Sequence, residues 1–291
     1  MPTLYMMIGL PGSGKGRYAK ELAEHIYCLS EYKDILSDYQ DRDTIYNSFC
    51  DDIKNCLAQG KDCVYDAVNA KSTTRIHFLR NVLKDIDCRK VAVVMATPYL
   101  KCVQNAKVPK NIVETYLRKW ETPILAEGFD EIWLYYDDPA WMTANGDPYA
   151  LPKLLWNYNQ ESKYHMWSLG GHLEYTQKSL HRFLVQQNRK ENYEKEITYA
   201  AVLHDCGKPF TKEYDKNNKV TYYNHNNVGG YEVLFFDCGD ADKSYISALV
   251  CHHMAPYFWE MPKTEMKFQR KYGHEFYLDI MALHGADVEA H

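Results

Sequence analysis

The chain has 291 residues, 34 Lys+Arg against 39 Asp+Glu and a formal net charge of −5, with 46% hydrophobic and 25% charged residues. These proportions exclude disordered, collagen-like and coiled-coil chains, and the acidic balance argues against a protein that coats nucleic acid nonspecifically. The longest apolar runs, such as Val91 to Ala96, fall far short of the roughly 20 residues of a membrane span.

The length suggests two domains. In the first half, strands and helices alternate. Leu4 to Ile8 reads as a strand ending at Gly9, and Lys15 to Tyr27 as a helix with Tyr18, Leu22 and Ile26 on one side. Asp43 to Gln59 reads as a helix closed by Gly60. Asp62 to Asp66 returns as a strand. Ser72 to Ile86 reads as a helix capped by Ser72 or Thr73. Val91 to Ala96 is a buried strand, Lys110 to Lys119 a helix, and Glu131 to Tyr136 a last strand. This alternation implies βαβ units and a parallel sheet of about five strands covered on both faces. Prolines at 139, 148 and 152 then mark a linker. The boundaries expected are an α/β domain at 1–138, a linker at 139–158 and an all-α domain at 159–291, interrupted by one hairpin (Phe210 to Tyr214, Lys219 to Tyr223).

Composition supports that division. Of twelve histidines, His25 and His77 precede residue 160, and the other ten run from His165 to His291. The second half is therefore the place to expect a metal site. Nine cysteines are scattered with no C-x-x-C pair, which suggests reduced thiols in a cytoplasmic protein. The opening Met-Pro-Thr-Leu has no basic stretch of the kind that starts a secretory signal.

Gly9, Leu10, Pro11, Gly12, Ser13, Gly14, Lys15 and Gly16 follow the first strand and open a helix. Seven of these positions fit the phosphate-binding form G-x-x-x-x-G-K-[ST]. Its glycines let backbone N–H groups curl around a phosphate chain, the helix N-terminus adds its dipole, and the lysine reaches the terminal phosphates. Gly16 replaces the hydroxyl residue that would ligate Mg²⁺. Ser37-Asp38-Tyr39-Gln40-Asp41-Arg42 and Asp66-Ala67-Val68-Asn69, followed by Arg75, lie where α/β sheets bind ligands. Together these segments resemble the 5′-OH polynucleotide kinase family, with its S-D-x-x-R and D-x-T-N motifs. The resemblance implies binding of ATP or another nucleoside triphosphate with Mg²⁺, Asp38 as general base and Arg42 near the acceptor phosphate. Asp66 and Asn69 match the third motif with altered spacing. In the family's arginine-rich lid segment this chain has Gln104 and Lys107.

In the second half, His172, His204, Asp205, His225, His253 and Asp287 form a set of residue types suited to transition metals with a bridging carboxylate. Their contexts resemble the HD phosphohydrolase superfamily in five ordered segments: Gly171-His172-Leu173-Glu174, Leu203-His204-Asp205-Cys206-Gly207-Lys208, Asn224-His225 through Gly230, Leu249-Val250-Cys251-His252-His253-Met254-Ala255-Pro256, and His284-Gly285-Ala286-Asp287. The resemblance implies one or two divalent ions (Mn, Fe, Co, Ni or Zn). His172, His204, Asp205 and Asp287 surround one, and His225 and His253 hold the second with Asp205 bridging. Lys208 is the expected phosphate contact. His253 is preferred to His252 because Met-x-Pro follows it. His165, His181, His274 and His291 carry no motif and read as solvent-facing or core residues.

A kinase-like half joined to an HD half resembles bacterial and phage end-healing proteins. It implies an enzyme of the bacterial or infected-host cytosol acting on RNA or DNA ends, upstream of a ligase. One half phosphorylates 5′-OH ends and the other removes 3′-phosphate or 2′,3′-cyclic phosphate. The alternatives are a nucleotide phosphohydrolase whose glycine loop only binds, and a module that delivers RNA to the HD site. Trp156, Tyr158, Tyr164 and Trp167, near the second domain's start, read either as stacking surfaces lining a substrate groove or as a staple between the domains.

Overall fold

The computed structural model describes residues 1–36, 41–161, 166–186 and 194–291. Asp38, Tyr164 and His165 lie outside them. The chain divides into two compact units, one of residues 1–116 and 123–139 and one of residues 117–122 and 140–291. Among the described residues, no helix is long and apolar enough to cross a membrane.

Through residue 139 the elements are β1 (Thr3–Ile8), α1 (Lys15–Leu22), β2 (His25–Cys28), α2 (Leu29–Leu36), α3 (Arg42–Ala58), β3 (Cys63–Asp66), α4 (Ser72–His77), β4 (Arg89–Met95), α5 (Tyr99–Asn105), α6 (Lys110–Leu117) and β5 (Glu131–Tyr135). The five strands form one parallel sheet in the order β2-β3-β1-β4-β5. β1 is central, with Leu4 opposite Cys63 on one side and Lys90 on the other. Leu4, Met6, Met7 and Ile8 are fully buried, as are Val91, Val93 and Val94. Such continuous apolar runs are what a strand covered on both faces requires.

The helix expected from Lys15 to Tyr27 ends at Leu22, and His25 to Cys28 is an edge strand. Tyr18, Leu22 and Ile26 still pack on one shared core, Ile26 from the strand rather than from the helix. The helix expected from Ser72 to Ile86 stops at His77 and continues as a wider π turn through Val82. Ser72 is its first helical residue, and Lys71 stands at the cap without a side-chain bond.

One buried ion pair holds the end of this sheet. Arg75 and Glu127 are both fully buried, with Nε and Nη2 each 2.7 Å from a Glu127 carboxylate oxygen. The remaining fork nitrogen, Nη1, donates to the Asn69 carbonyl at 2.8 Å. Asn69 has a left-handed φ of 46°, and its side-chain amide donates to the Met7 carbonyl at 2.9 Å. The turn after β3 is thus tied to β1 through Asn69 and Arg75, so these two residues shape the turn.

The second unit contains α7 (Leu151–Leu154), α8 (Leu169–Gln186), α9 (Glu194–Leu203), α10 (Lys208–Thr211), β6 (Glu213–Tyr214), β7 (Val220–Thr221), α11 (His225–Val233), α12 (Lys243–His252), α13 (Pro262–Tyr272) and α14 (His274–Glu289). The hairpin is shorter than expected because Lys208 to Thr211 winds as a helical turn. The segment expected as a linker is instead packed into this unit. Asn145 donates its backbone N–H to Phe235 at 2.9 Å, and Leu169 and Gly170 donate theirs to Tyr158 and Leu155 at 2.9 and 3.0 Å. Ile197, Ala200, Val202 and Leu203 of α9 and Ile246, Leu249 and Val250 of α12 are fully buried, so both helices run through the core.

Removing one partner of a buried ion pair leaves an uncompensated charge. Arg75→Ala is therefore expected to destabilise the first unit by about 3–5 kcal/mol. The double variant Arg75→Met with Glu127→Leu should lie much closer to the parent. Urea denaturation of the parent and both variants measures this.

Candidate metal centre and glycine loop

Five helices of the second unit bring six side chains together. His172 lies in the first turn of α8, and His204 and Asp205 directly follow α9. His225 opens α11, His253 follows α12, and Asp287 lies in the last turn of α14. None of the six is more than 7% exposed. Gly207 permits part of this convergence: a Cβ there would stand 2.0 Å from the His225 carbonyl oxygen. Only glycine lets the turn carrying Asp205 approach the start of α11 so closely.

The six residues form two triads, His172–His204–Asp287 and Asp205–His225–His253. In the first, the two histidine Nε2 atoms are 3.0 Å apart, and Asp287 Oδ1 lies 3.1 and 3.4 Å from them. In the second, the Nε2 atoms are 3.3 Å apart, and Asp205 Oδ1 lies 3.1 Å from His225 and 3.7 Å from His253. Asp205 Oδ2 points the other way, 3.4 Å from both His172 and His204. One carboxylate thus spans both triads.

The outer nitrogens fix the rings. Nδ1 of His204, His225 and His253 lies 2.9, 2.8 and 2.8 Å from the carbonyls of Ala201, Tyr222 and Val250, and Nδ1 of His172 lies 3.3 Å from that of Ala290. A carbonyl only accepts, so each Nδ1 donates and each Nε2 turns inward. Inward nitrogen and carboxylate atoms at these separations match neighbouring ligands of one ion with bonds of about 2.0–2.2 Å, which places ligands about 3.0–3.5 Å apart. The donor set fits divalent transition ions.

Charge is balanced tightly in this interior. Burial works against a charged His204, but the Asp205 and Asp287 carboxylates outweigh it and hold its pKa at about 10. Burial, then the neighbouring His204 and His225, push His253 down to about 3. Burial opposes ionisation of Asp205, yet Lys208 and His204 keep its carboxyl well below the usual range. Lys208 Nζ lies 2.6 Å from Asp205 Oδ2 and donates to Gln160 Oε1 at 2.8 Å.

Several residues at this site carry no sequence motif. The Tyr257 hydroxyl donates to Asp287 Oδ2 at 3.0 Å. The Tyr222 hydroxyl donates to the Gln160 carbonyl at 2.8 Å. His291, expected at the surface or in the core, instead stands beside Asp287 and His172. His252 faces away from the triads and packs on Phe268, Tyr272 and Phe276.

In the first unit, residues 9–16 connect β1 to α1. Gly12 has φ +82°, and a Cβ there would meet the Cys102 carbonyl at 2.1 Å. The Lys15 ammonium folds into the loop and donates to the Gly9 and Leu10 carbonyls, both at 2.9 Å. Burial lowers its pKa, against the opposing pull of Asp66. Burial raises the Asp66 pKa in turn, with Lys15 opposing. A Cβ on Gly16 would lie 3.3 Å from Asp66 Oδ2. Pro11 is half-buried and Ser13 buried. Arg42 is the exposed first residue of α3, after the Asp41 cap. Gln104 and Lys107 are exposed.

Asp205→Ala is expected to take one of three donors from the Asp205–His225–His253 triad and to lower bound transition metal by about one ion per chain, read by elemental analysis. The pKa of His204 sets the pH dependence. Its folded value lies above the ordinary 6.5, so its ion pairs stabilise the metal-free fold fully below about 6.5 and lose that effect as pH rises through about 10. A cation must displace that proton, so apparent metal affinity should climb with pH towards 10. Calorimetric titration with Mn²⁺ in buffers of different ionisation enthalpy measures the proton released. No protein-family model and no curated protein sequence matches this chain.

Proposed function

We propose that the chain is a nucleic-acid end-healing enzyme, an HD-type metal-dependent phosphoesterase joined to a 5′-OH polynucleotide kinase-like P-loop domain. The observation that carries this reading is Asp205, one buried carboxylate with an oxygen in each of two triads. Two adjacent sites sharing a carboxylate suit hydrolysis of a phosphate ester. Bound divalent ions supply Lewis acidity toward the phosphoryl group and lower the pKa of water. The chain's own residues do the rest. Asp205 keeps the two sites adjacent, the carbonyl-anchored histidines hold their Nε2 atoms inward, and Tyr257 orients Asp287. Lys208, fixed by Asp205 and Gln160, sets a positive charge beside the site for an anionic substrate.

The first unit supports nucleoside triphosphate binding through its glycine loop, the buried Lys15 and the start of α1. In this reading the pair converts 5′-OH ends to phosphates and clears 3′-phosphate or 2′,3′-cyclic phosphate from RNA or DNA. A second reading, a nucleotide phosphohydrolase whose first unit only binds nucleotide, is favoured by Gly16. There Asp66 has no hydroxyl beside it to share a magnesium ion.

Incubation with an RNA oligonucleotide ending in a 2′,3′-cyclic phosphate and a 5′-OH tests both halves. Phosphate release at the 3′ end and Lys15-dependent labelling of the 5′ end are expected. Asp205→Ala should lower release by at least about a hundredfold, the scale on which even outer partners of metal ligands act. ATP consumption that ignores the oligonucleotide, with release from free nucleotides alone, would sink the first reading. Gly16→Ser should raise magnesium-dependent 5′ labelling by about tenfold, equivalent to ~1.4 kcal/mol at the transition state.

A further inference from the structure

We infer that His291 is a fifth histidine of the centre, a metal ligand that closes the first triad and makes it the tighter of the two sites. The inference rests on the reading of the cluster as a holder of divalent cations.

The backbone delivers His291 to that place. α14 ends at Glu289, but the turn continues: the Ala290 N–H bonds to the Ala286 and Asp287 carbonyls, and the His291 N–H to that of Val288 at 3.3 Å. His291 therefore stands four residues after Asp287 on the same helical face. The Ala290 carbonyl is also the partner of His172 Nδ1, which ties this end of the chain to a residue of the triad.

The ring is placed accordingly. His291 Nε2 lies 3.6 Å from Asp287 Oδ1, closer than the 3.7 Å that separates His253 from Asp205 Oδ1 within the second triad. Its ring centroid is 5.2 Å from that of His172, comparable with the 5.0 Å between His172 and His204. Asp287 Oδ1 is thus shared by three imidazoles, those of His172, His204 and His291.

The consequence is an asymmetric centre. Asp205 Oδ2 already reaches the first triad, so a His291 that turned its Nε2 from Asp287 onto the ion would bring that site to five protein donors. The second site has three, Asp205 Oδ1, His225 and His253. A site filled by protein ligands holds its ion, whereas a site with few keeps positions for water and substrate. The second site is then the one that meets the phosphate ester. His291 has a side chain 30% exposed, against 10% or less for the other four histidines, so its removal disturbs the core least.

The test uses the full chain with its purification tag at the amino end, stripped by chelator and titrated with cobalt(II) alone. Competition with a chromogenic chelator gives the two affinities, and visible absorption reports the donors. The parent should bind two ions unequally. His291→Ala and His291→Gln should both weaken the tighter ion by about 10–100-fold, leave the weaker ion within about threefold and shift the spectrum of the first-bound ion. Unchanged tight-site affinity and spectrum in both variants would overturn the inference, as would equal weakening of both ions. A parent that takes up no cobalt would overturn the metal reading of the cluster itself.

Discussion

The second unit is organised around a carboxylate that is costly to bury. Asp205 is 3% exposed, and an ionised carboxylate in such surroundings needs partners on every side. It has them: imidazole nitrogens at both oxygens and the Lys208 ammonium at one. With Asp287 beside it, two carboxylates face one ammonium, which leaves a buried excess of one negative charge. In the metal-free protein His204 offsets it by holding a proton to about pH 10. An interior that must take up a proton to be neutral is one prepared for a cation.

The histidines meet that carboxylate through one repeated local device. In His204, His225 and His253 the ring Nδ1 donates to the carbonyl three residues earlier, those of Ala201, Tyr222 and Val250. Ala201 and Val250 lie in the last turns of α9 and α12, where carbonyls have no helical partner. A histidine just past a buried helix thus satisfies an orphan carbonyl with one nitrogen and aims the other at the centre. Each ring is oriented by its own segment, and the packing of α9, α12 and α11 has only to bring the segments together.

That locality explains what could be read from the chain. The five histidine- and aspartate-bearing segments stand in order, each next to an apolar helix, so the set His172, His204, Asp205, His225, His253 and Asp287 was legible as a group. The choice of His253 over His252 turned on the following Met-x-Pro, and the fold separates the two by direction: one faces the carboxylate, the other the aromatic rings of α13 and α14. His291 was not legible, since no motif surrounds it. Its only signal is a spacing of four from Asp287, and that spacing acquires meaning only if the helical turn continues past Glu289. β2 was hidden for a different reason. Ile26 packs on the same core as Tyr18 and Leu22, so a helical period ran unbroken through Ala23, where neither glycine nor proline marks the change to an extended chain. Asn69 and Arg75, in the segment after β3, bond to partners far along the chain, Met7 and Glu127, which no local pattern signals.

The two units differ in what each offers a cation. The second offers a cation redundant donors: six side chains, four of them with a fixed outer hydrogen bond. In the first, Asp66 stands beside the glycine loop and Gly16 presents no side chain to it, a Cβ there lying 3.3 Å from its Oδ2. Burial already raises the pKa of Asp66, and Lys15 is the charge that opposes it. A magnesium ion brought in with a nucleotide would add to that opposition and favour the ionised carboxylate, while relying on water where a serine hydroxyl would otherwise bind. Phosphoryl transfer depends on metal placement more than on any covalent step of the protein. In the proposed reading, the rate of transfer by the first unit hinges on the hydroxyl oxygen that Gly16 lacks.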